Sequence, residues 1–170
     1  QILIILLFMV QFISCKTENT SNKKLPVDYI NPIIGAVTYG ETSKDAHGFG
    51  KTFPGPTTPF GLVQLSPDTR TGGDNGPGYS WAHTTIEGFS FTHMSGIGWY
   101  GDLGNFLVMP TTGKMHTNKG EDENPENGYR SRFSHENEIA EAGYYRVILS
   151  DYNIEAELSA SPKAGIIRFS

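Results

Sequence analysis

A single cysteine, Cys15, is all that this chain of 170 residues contains. No disulfide can close within it, and no cysteine-based zinc site can be built. Basic charge is also short: 13 Lys and Arg stand against 18 Asp and Glu, a net charge of −5. A nucleic-acid binder shows a basic patch, and a helix that lies on a membrane surface shows a basic amphipathic face. Neither is present, so nucleic acid is excluded as a partner. No apolar run reaches the roughly 20 residues needed to cross a bilayer. After residue 25 there is no long amphipathic helix pattern, and no repeat of about 20–50 residues is visible. The 20 glycines and 10 prolines are aperiodic, which excludes a collagen-like chain.

What is present begins with QILIILLFMVQFIS, an apolar run of the length of a signal-peptide core. It ends at Phe12-Ile13-Ser14-Cys15, which resembles a bacterial lipobox with Cys15 as the lipidated residue, although Ile13 is bulkier than usual there. The chain opens on Gln1 without the charged segment that precedes such a core, and Gly165-Ile166-Ile167-Arg168-Phe169-Ser170 starts a strand and stops. More sequence is therefore expected at both ends. Residues 16–24, KTENTSNKK, are polar and lack an apolar period, as in a flexible tether. Three segments follow: a signal peptide with lipobox over 1–15, a tether over 16–24, and a folded domain over 25–170. An exported protein, anchored by lipid to the bacterial envelope at the periplasm or cell surface, is the expectation.

With 37% hydrophobic and 12% aromatic residues, the remainder can bury a core. Ile154, Ala156, Leu158 and Ala160 alternate with Asn153, Glu155, Glu157 and Ser159, the period of a half-buried strand. Residues 144–149 and 165–170 predict strands on either side, with Ser150-Asp151-Tyr152 as a turn. Residues 60–66, 86–92 and 105–110 predict three more, and 27–35 a short extended stretch. Many short strands between turn signals predict an all-β antiparallel β-sandwich. The acidic excursion TNKGEDENPENG (117–128) reads as an exposed loop. Its Glu121, Asp122, Glu123 and Glu126 lack the alternating ligand spacing of an EF-hand.

Gly50-Lys51-Thr52 imitates the tail of a phosphate-binding P-loop. Asp45 stands where the first glycine belongs, and Pro54, Pro56 and Pro59 forbid the helix that must follow. Polar residues crowd instead between 45 and 105: Asp45, His47, Lys51, Asp68, Asp74, His83, His93, Trp99 and Asp102. The run His93-Met94-Ser95-Gly96-Ile97-Gly98-Trp99-Tyr100-Gly101-Asp102 combines glycines, aromatics and polar groups, as sugar recognition requires: a ring stacks on C–H faces and polar groups take hydroxyls. His93, Gly96, Trp99 and Asp102 are the candidate substrate-binding residues. The alternatives are a buried core position for Trp99 and a satisfied structural role for His93. Asp68, after Pro67, is first a turn residue. A metal triad of His47, His83 and His93 is conceivable, but nothing in the spacing fixes them on one face. Ser95 lacks the nucleophile-elbow pattern.

Longer motifs carry a family resemblance. Gly50–Gly55 with Pro59-Phe60-Gly61-Leu62-Val63-Gln64-Leu65-Ser66-Pro67-Asp68-Thr69 is similar to the N-terminal signature of glycoside hydrolase family 92. So are Gly88-Phe89-Ser90-Phe91-Thr92-His93-Met94-Ser95-Gly96 with Gly101-Asp102, Val108-Met109-Pro110, and Phe133-Ser134-His135-Glu136-Asn137-Glu138-Ile139-Ala140 leading to Gly143-Tyr144-Tyr145. The resemblance covers about residues 27–170. It implies an exo-acting, calcium-dependent α-mannosidase with an N-terminal β-sandwich and a large (α/α)6 barrel, cleaving mannose-containing glycans with inversion. The acid, base and calcium ligands are expected in the barrel beyond Ser170, so none is assigned here and the fragment alone is expected to be inactive. Lys51 and Pro56 depart from the family's usual residues, which leaves the linkage preference open. A stand-alone sugar-binding surface lipoprotein is the alternative.

Overall fold

The computed structural model describes residues 24–36, 52–71, 78–95 and 106–170. Eight strands form three antiparallel sheets, and no α-helix occurs among the described residues. The largest sheet is a meander of β5 (Ile139–Glu141), β6 (Tyr144–Leu149), β7 (Ile154–Ala160) and β8 (Gly165–Phe169). Two small ladders accompany it. β1 (Ser66–Asp68) pairs with β3 (Gly88–Ser90), and β2 (Thr85–Ile86) with β4 (Ser131–Arg132). The domain is all-β and antiparallel, as expected.

The meander follows from a strict period of two. Tyr145, Val147 and Leu149 are buried along β6, and Ala156 and Leu158 along β7. The register sets Tyr145 opposite Leu158 and Val147 opposite Ala156, so one apolar face forms. The other face is polar: Glu157 accepts from Tyr144 at 2.7 Å and pairs with Arg168, while Arg146 Nε donates to Glu155 at 2.5 Å. Gly143, at φ +81°, permits the two-residue turn between β5 and β6.

The β1–β3 ladder lies against this apolar face. Phe89 contacts Phe169 at 5.8 Å between ring centroids. Leu65 fills the place that a side chain at Gly165 would take; a Cβ there would lie 2.2 Å from Leu65 Cδ1. Pro67 sits inside β1 opposite Phe89. The pair works because Phe89 spends both its N–H and its C=O on Val108, at 2.9 Å each, and asks nothing of Pro67.

Several expected elements differ. The strand expected over 86–92 breaks at Glu87 into β2 and β3, which pair with different partners. Asp68, expected in a turn, is a buried strand residue. The strand expected over 105–110 is reduced to a bridge between Phe89 and Val108. The stretch 27–35 is not extended: Pro26–Tyr29 form a 3₁₀ turn, closed by Leu25 N–H donating to Asp28 at 2.7 Å, and Asn31 closes a second turn by accepting from Ile33 N–H.

The strand expected from Phe60 begins only at Ser66, because residues 58–61 turn, with Gly61 N–H donating to Thr58 C=O at 2.9 Å. Pro59 takes the second position and Phe60 the third, at φ +57°. Glycine normally fills that third position. Phe60 is fully exposed, so its side chain contributes no packing that offsets the strain. Phe60→Gly is expected to stabilise the chain by about 1 kcal/mol, raising the thermal midpoint by about 2–4 °C. An unchanged or lowered midpoint in a thermal melt would show that the turn is unstrained.

Candidate functional site

β1 and β3 bring three polar side chains into a dry junction. Asp68, Ser90 and His93 are all buried. Ser90 Oγ donates to Asp68 Oδ2 at 2.6 Å, and His93 Nε2 lies 3.0 Å from Asp68 Oδ1. His93 Nδ1 lies 2.7 Å from Gln64 C=O. A carbonyl only accepts, so Nδ1 carries a proton, and a further proton lies between Nε2 and the Asp68 carboxyl. Gly78 closes the junction at φ +75°; a Cβ there would lie 2.2 Å from Asp68 Oδ1 and 3.1 Å from His93. Gly78 therefore packs directly against Asp68 and His93.

The described residues before and after this junction, Thr69–Thr71 and Gly78, are held by further polar contacts. Gly78 C=O accepts from Thr69 N–H at 2.8 Å and Arg70 N–H at 3.1 Å. Thr69 Oγ1 meets His83 Nδ1 at 2.8 Å. Burial, and then the Arg70 guanidinium nearby, lower the His83 pKa to about 4, so the ring is neutral at pH 7. On the other side Glu87 Oε2 accepts from Thr71 N–H at 2.9 Å and from its hydroxyl at 2.5 Å. Glu87 Oε1 takes Arg130 Nη2 at 2.6 Å and Lys119 Nζ at 3.2 Å. Arg130 and Arg70 both reach Asp122, which also accepts from Thr85 at 2.8 Å. Burial opposes ionisation of Asp122, but Thr85 and the two guanidinium groups outweigh it and hold the carboxyl below its usual range. This network floors a depression of about 460 Å³.

A third cluster fixes the segment after Gly78. Glu138, on the loop before β5, is almost fully buried. Its carboxylate accepts from Tyr79 at 2.9 Å and Tyr145 at 2.5 Å, and His135 Nδ1 lies 2.6 Å away. Burial, and then the Glu138 charge, push both phenols far above their usual pKa, so they stay donors. His135 Nε2 donates to Trp81 C=O at 2.9 Å, and its ring stacks on the Trp81 indole at 3.5 Å with 12° between planes.

Of the residues expected from sequence to bind substrate, His93 alone lies among the described residues. It does not present a nitrogen to a sugar: both ring nitrogens are used inside the junction and the residue is 2% exposed. That burial matches the alternative weighed above, a satisfied histidine inside the fold. Gly96, Trp99 and Asp102 lie outside the described residues, as do the lipidation candidate Cys15, the signal peptide over 1–15, nearly all of the tether over 16–24, and Asp45, His47, Lys51 and Asp74. The acidic excursion is not wholly solvated, since Asp122 and Glu126 pair with Arg130 and Arg132. Among the described residues no three of His, Cys, Asp or Glu stand where they could hold a metal ion.

Glu87, Arg130, Glu138 and Trp81 escaped the sequence reading. The one available signal was a charge between Ile86 and Gly88, where a strand flanked by buried residues has no reason to keep one. Glu138 stood inside a quoted motif, but nothing local tells that its partners are Tyr79 and Tyr145.

The matched region covers nearly all of this architecture: residues 29–170 fit the glycosyl hydrolase family 92 N-terminal domain. The chain belongs to family 92. Among solved structures it is similar to a family GH92 α-mannosidase of Bacteroides thetaiotaomicron, determined in complex with mannoimidazole, at 42% identity and TM-score 0.74 over 84% of this chain. A family GH92 inverting mannosidase of Bacteroides thetaiotaomicron VPI-5482 is 27% identical, with TM-score 0.63 over 86% of this chain. This family 92 chain spans 18% of the length of each of those two proteins. An uncharacterized secreted glycosidase of Arthroderma benhamiae is 30% identical over 82 residues, 48% of this chain and 9% of that protein.

Proposed function

We propose that this chain is the N-terminal domain of a calcium-dependent, inverting exo-α-mannosidase that removes terminal α-linked mannose from glycans. The observation that carries the proposal is the 42% identity, over 84% of the chain, to an α-mannosidase solved with mannoimidazole. In an inverting glycosidase one carboxylic acid protonates the leaving oxygen and a second carboxylate activates water from the opposite face, with about 6.5–9.5 Å between them. The buried carboxylates described here are committed to neighbours: Asp68 to Ser90 and His93, Glu87 to Arg130 and Thr71, Glu138 to two tyrosines and His135. The domain then supplies shape, and the acid and base belong to an (α/α)6 barrel beyond Ser170. Calcium's ligands are assigned to the barrel as well, since the carboxylates described do not fit a cation site and Glu87 and Asp122 already face guanidinium groups.

Gly96, Trp99 and Asp102 keep the proposed task of lining the pocket for the terminal mannose. The stem at His93 holds the start of that run. Export, with Cys15 as a lipid anchor, completes the proposal; the description of the Arthroderma benhamiae relative as secreted supports export.

The test uses the full-length protein and an aryl α-mannoside. Hydrolysis should release β-mannose first, followed by NMR, and should fall on chelation and return with calcium. Trp99→Ala should lower kcat/KM at least about tenfold, roughly 1.4 kcal/mol, with the thermal midpoint nearly kept. Release of α-mannose first would refute inversion. A destabilised but kinetically normal Trp99→Ala enzyme would place that ring in the core.

A further inference from the structure

We propose that the hairpin tip at 58–62, with Phe60 as its knob, is the surface on which the polypeptide that follows Ser170 docks back onto this domain. The inference rests on the length of the chain against its relatives, not on the proposed reaction. Three observations carry it.

The first is a rigid tip held at a cost. Thr57 and Gln64 bridge, Gly61 N–H donates to Thr58 C=O at 2.9 Å, and Gln64 Nε2 donates to Gly61 C=O at 3.1 Å. Phe60 stands at φ +57°, where glycine is the usual residue. Thr58 Oγ1 is buried with no hydrogen-bond partner among the described residues. Strain of this kind persists where another contact repays it. Phe60 makes no such contact inside the domain, being 104% exposed. A lone exposed apolar side chain is ordinary on a protein surface. One held outward on a strained, hydrogen-bonded turn is not.

The second is the setting. Leu62 N–H donates to Pro162 C=O at 2.9 Å, which fastens the tip to the turn between β7 and β8. Leu62 is 70% exposed and Ile166, on β8, 65%. At that turn Ile166, Ala160 and Ala164, with Ser159 and Ser161, line an open hollow of about 300 Å³. The tip thus offers apolar knobs, and the turn beside it offers a recess for a side chain coming the other way.

The third is the scale of the contact. The chain spans 18% of the length of each of the two mannosidases to which it is similar. Three apolar side chains and one hollow fall short of the about 800 Å² per partner that a stable complex of separate molecules buries. A segment of the same polypeptide needs no such area, because covalent linkage supplies its effective concentration. The occupant is therefore a further part of the same protein, presenting an apolar face.

The test uses the full-length protein. Benzoylphenylalanine in place of Phe60, irradiated and mapped by mass spectrometry, should cross-link to a peptide beyond residue 170. The same probe in place of Leu62 gives a second site should the bulkier ring at 60 disturb the turn. Cross-links confined to residues 1–170, links to a second copy of the protein, or no link from either position would overturn the docking. Hydroxyl-radical labelling of the unaltered protein needs no substitution. Phe60 should be oxidised at least about tenfold more slowly than in a free peptide of residues 57–64, because a docked ring is shut off from water. Equal rates in protein and peptide would also overturn the proposal. Phe60→Gly adds a test by sign. On the 170-residue chain it relieves strain, as argued above. In the full-length protein it should instead lower the thermal midpoint and raise the labelling of Leu62 and Ile166 at least about threefold. A raised midpoint with unchanged labelling would count against the docking. A full-length protein inactive on α-mannosides would sink the proposed function, while the cross-link and the labelling would still decide the surface.

Discussion

Glu87→Ala is expected to cost about 3–5 kcal/mol of folding stability, the scale for breaking a buried charge pair from one side. Glu87 is 1% exposed and Arg130 is 4% exposed in their side chains. Removing the carboxylate takes one of the two carboxylates from a dry guanidinium, which keeps Asp122, and strips Thr71 of both its bonds to Glu87. The loss follows from the buried groups left without their partner, Arg130 Nη2 and Thr71, not from the pair's net worth, which gives a second arm to the measurement. Glu87→Leu with Arg130→Met removes both charges and should cost clearly less than either single change. Urea midpoints for the two singles and the double decide the matter. A single-variant cost under about 1 kcal/mol would mean that water reaches the pair.

Acid should unfold the domain through His83. Its pKa falls from 6.5 to about 4 on folding, first because of burial and then because of Arg70. Between those values the unfolded chain binds a proton that the folded chain refuses. Stability is therefore complete above about pH 6.5 and is lost as the pH falls toward 4, by up to about 3 kcal/mol. His83→Asn retains a group for Thr69 and abolishes this titration. Its urea midpoint should fall less steeply between pH 6.5 and 4 than that of the unaltered chain. Parallel curves for the two would show that His83 takes its proton freely in the folded state.

The β6–β8 meander was legible because its information is local. Alternation at Ile154–Ala160 fixes one face, and the turn residues fix the strand ends. The β1–β3 and β2–β4 ladders were not, because strands of two or three residues carry almost no period. Their limits are set by partners far along the chain, such as Ser131 opposite Ile86. The same distance hid the Glu87–Arg130 pair, 43 residues apart in sequence. For the site, glycines and aromatics around 93–102 marked a candidate run of which only 93–95 lie among the described residues, while the motifs marked the family. Whether His93 looks outward or inward depends on Asp68 and Gln64, which no spacing rule connects to it.

The stack of Trp81 on His135 gives the domain a built-in optical gauge. An imidazole held face to face with an indole offers the excited ring a route to lose energy without emitting. Folded chain should thus be dim at Trp81, and separation of the rings should brighten it. The chain holds only one other tryptophan, Trp99, so a Trp99→Phe background isolates the signal. Because His135 also grips the Trp81 carbonyl and faces Glu138, brightening would report release of the segment after Gly78 from the β5 side. Loosening of that segment could then be followed in real time, with no label attached.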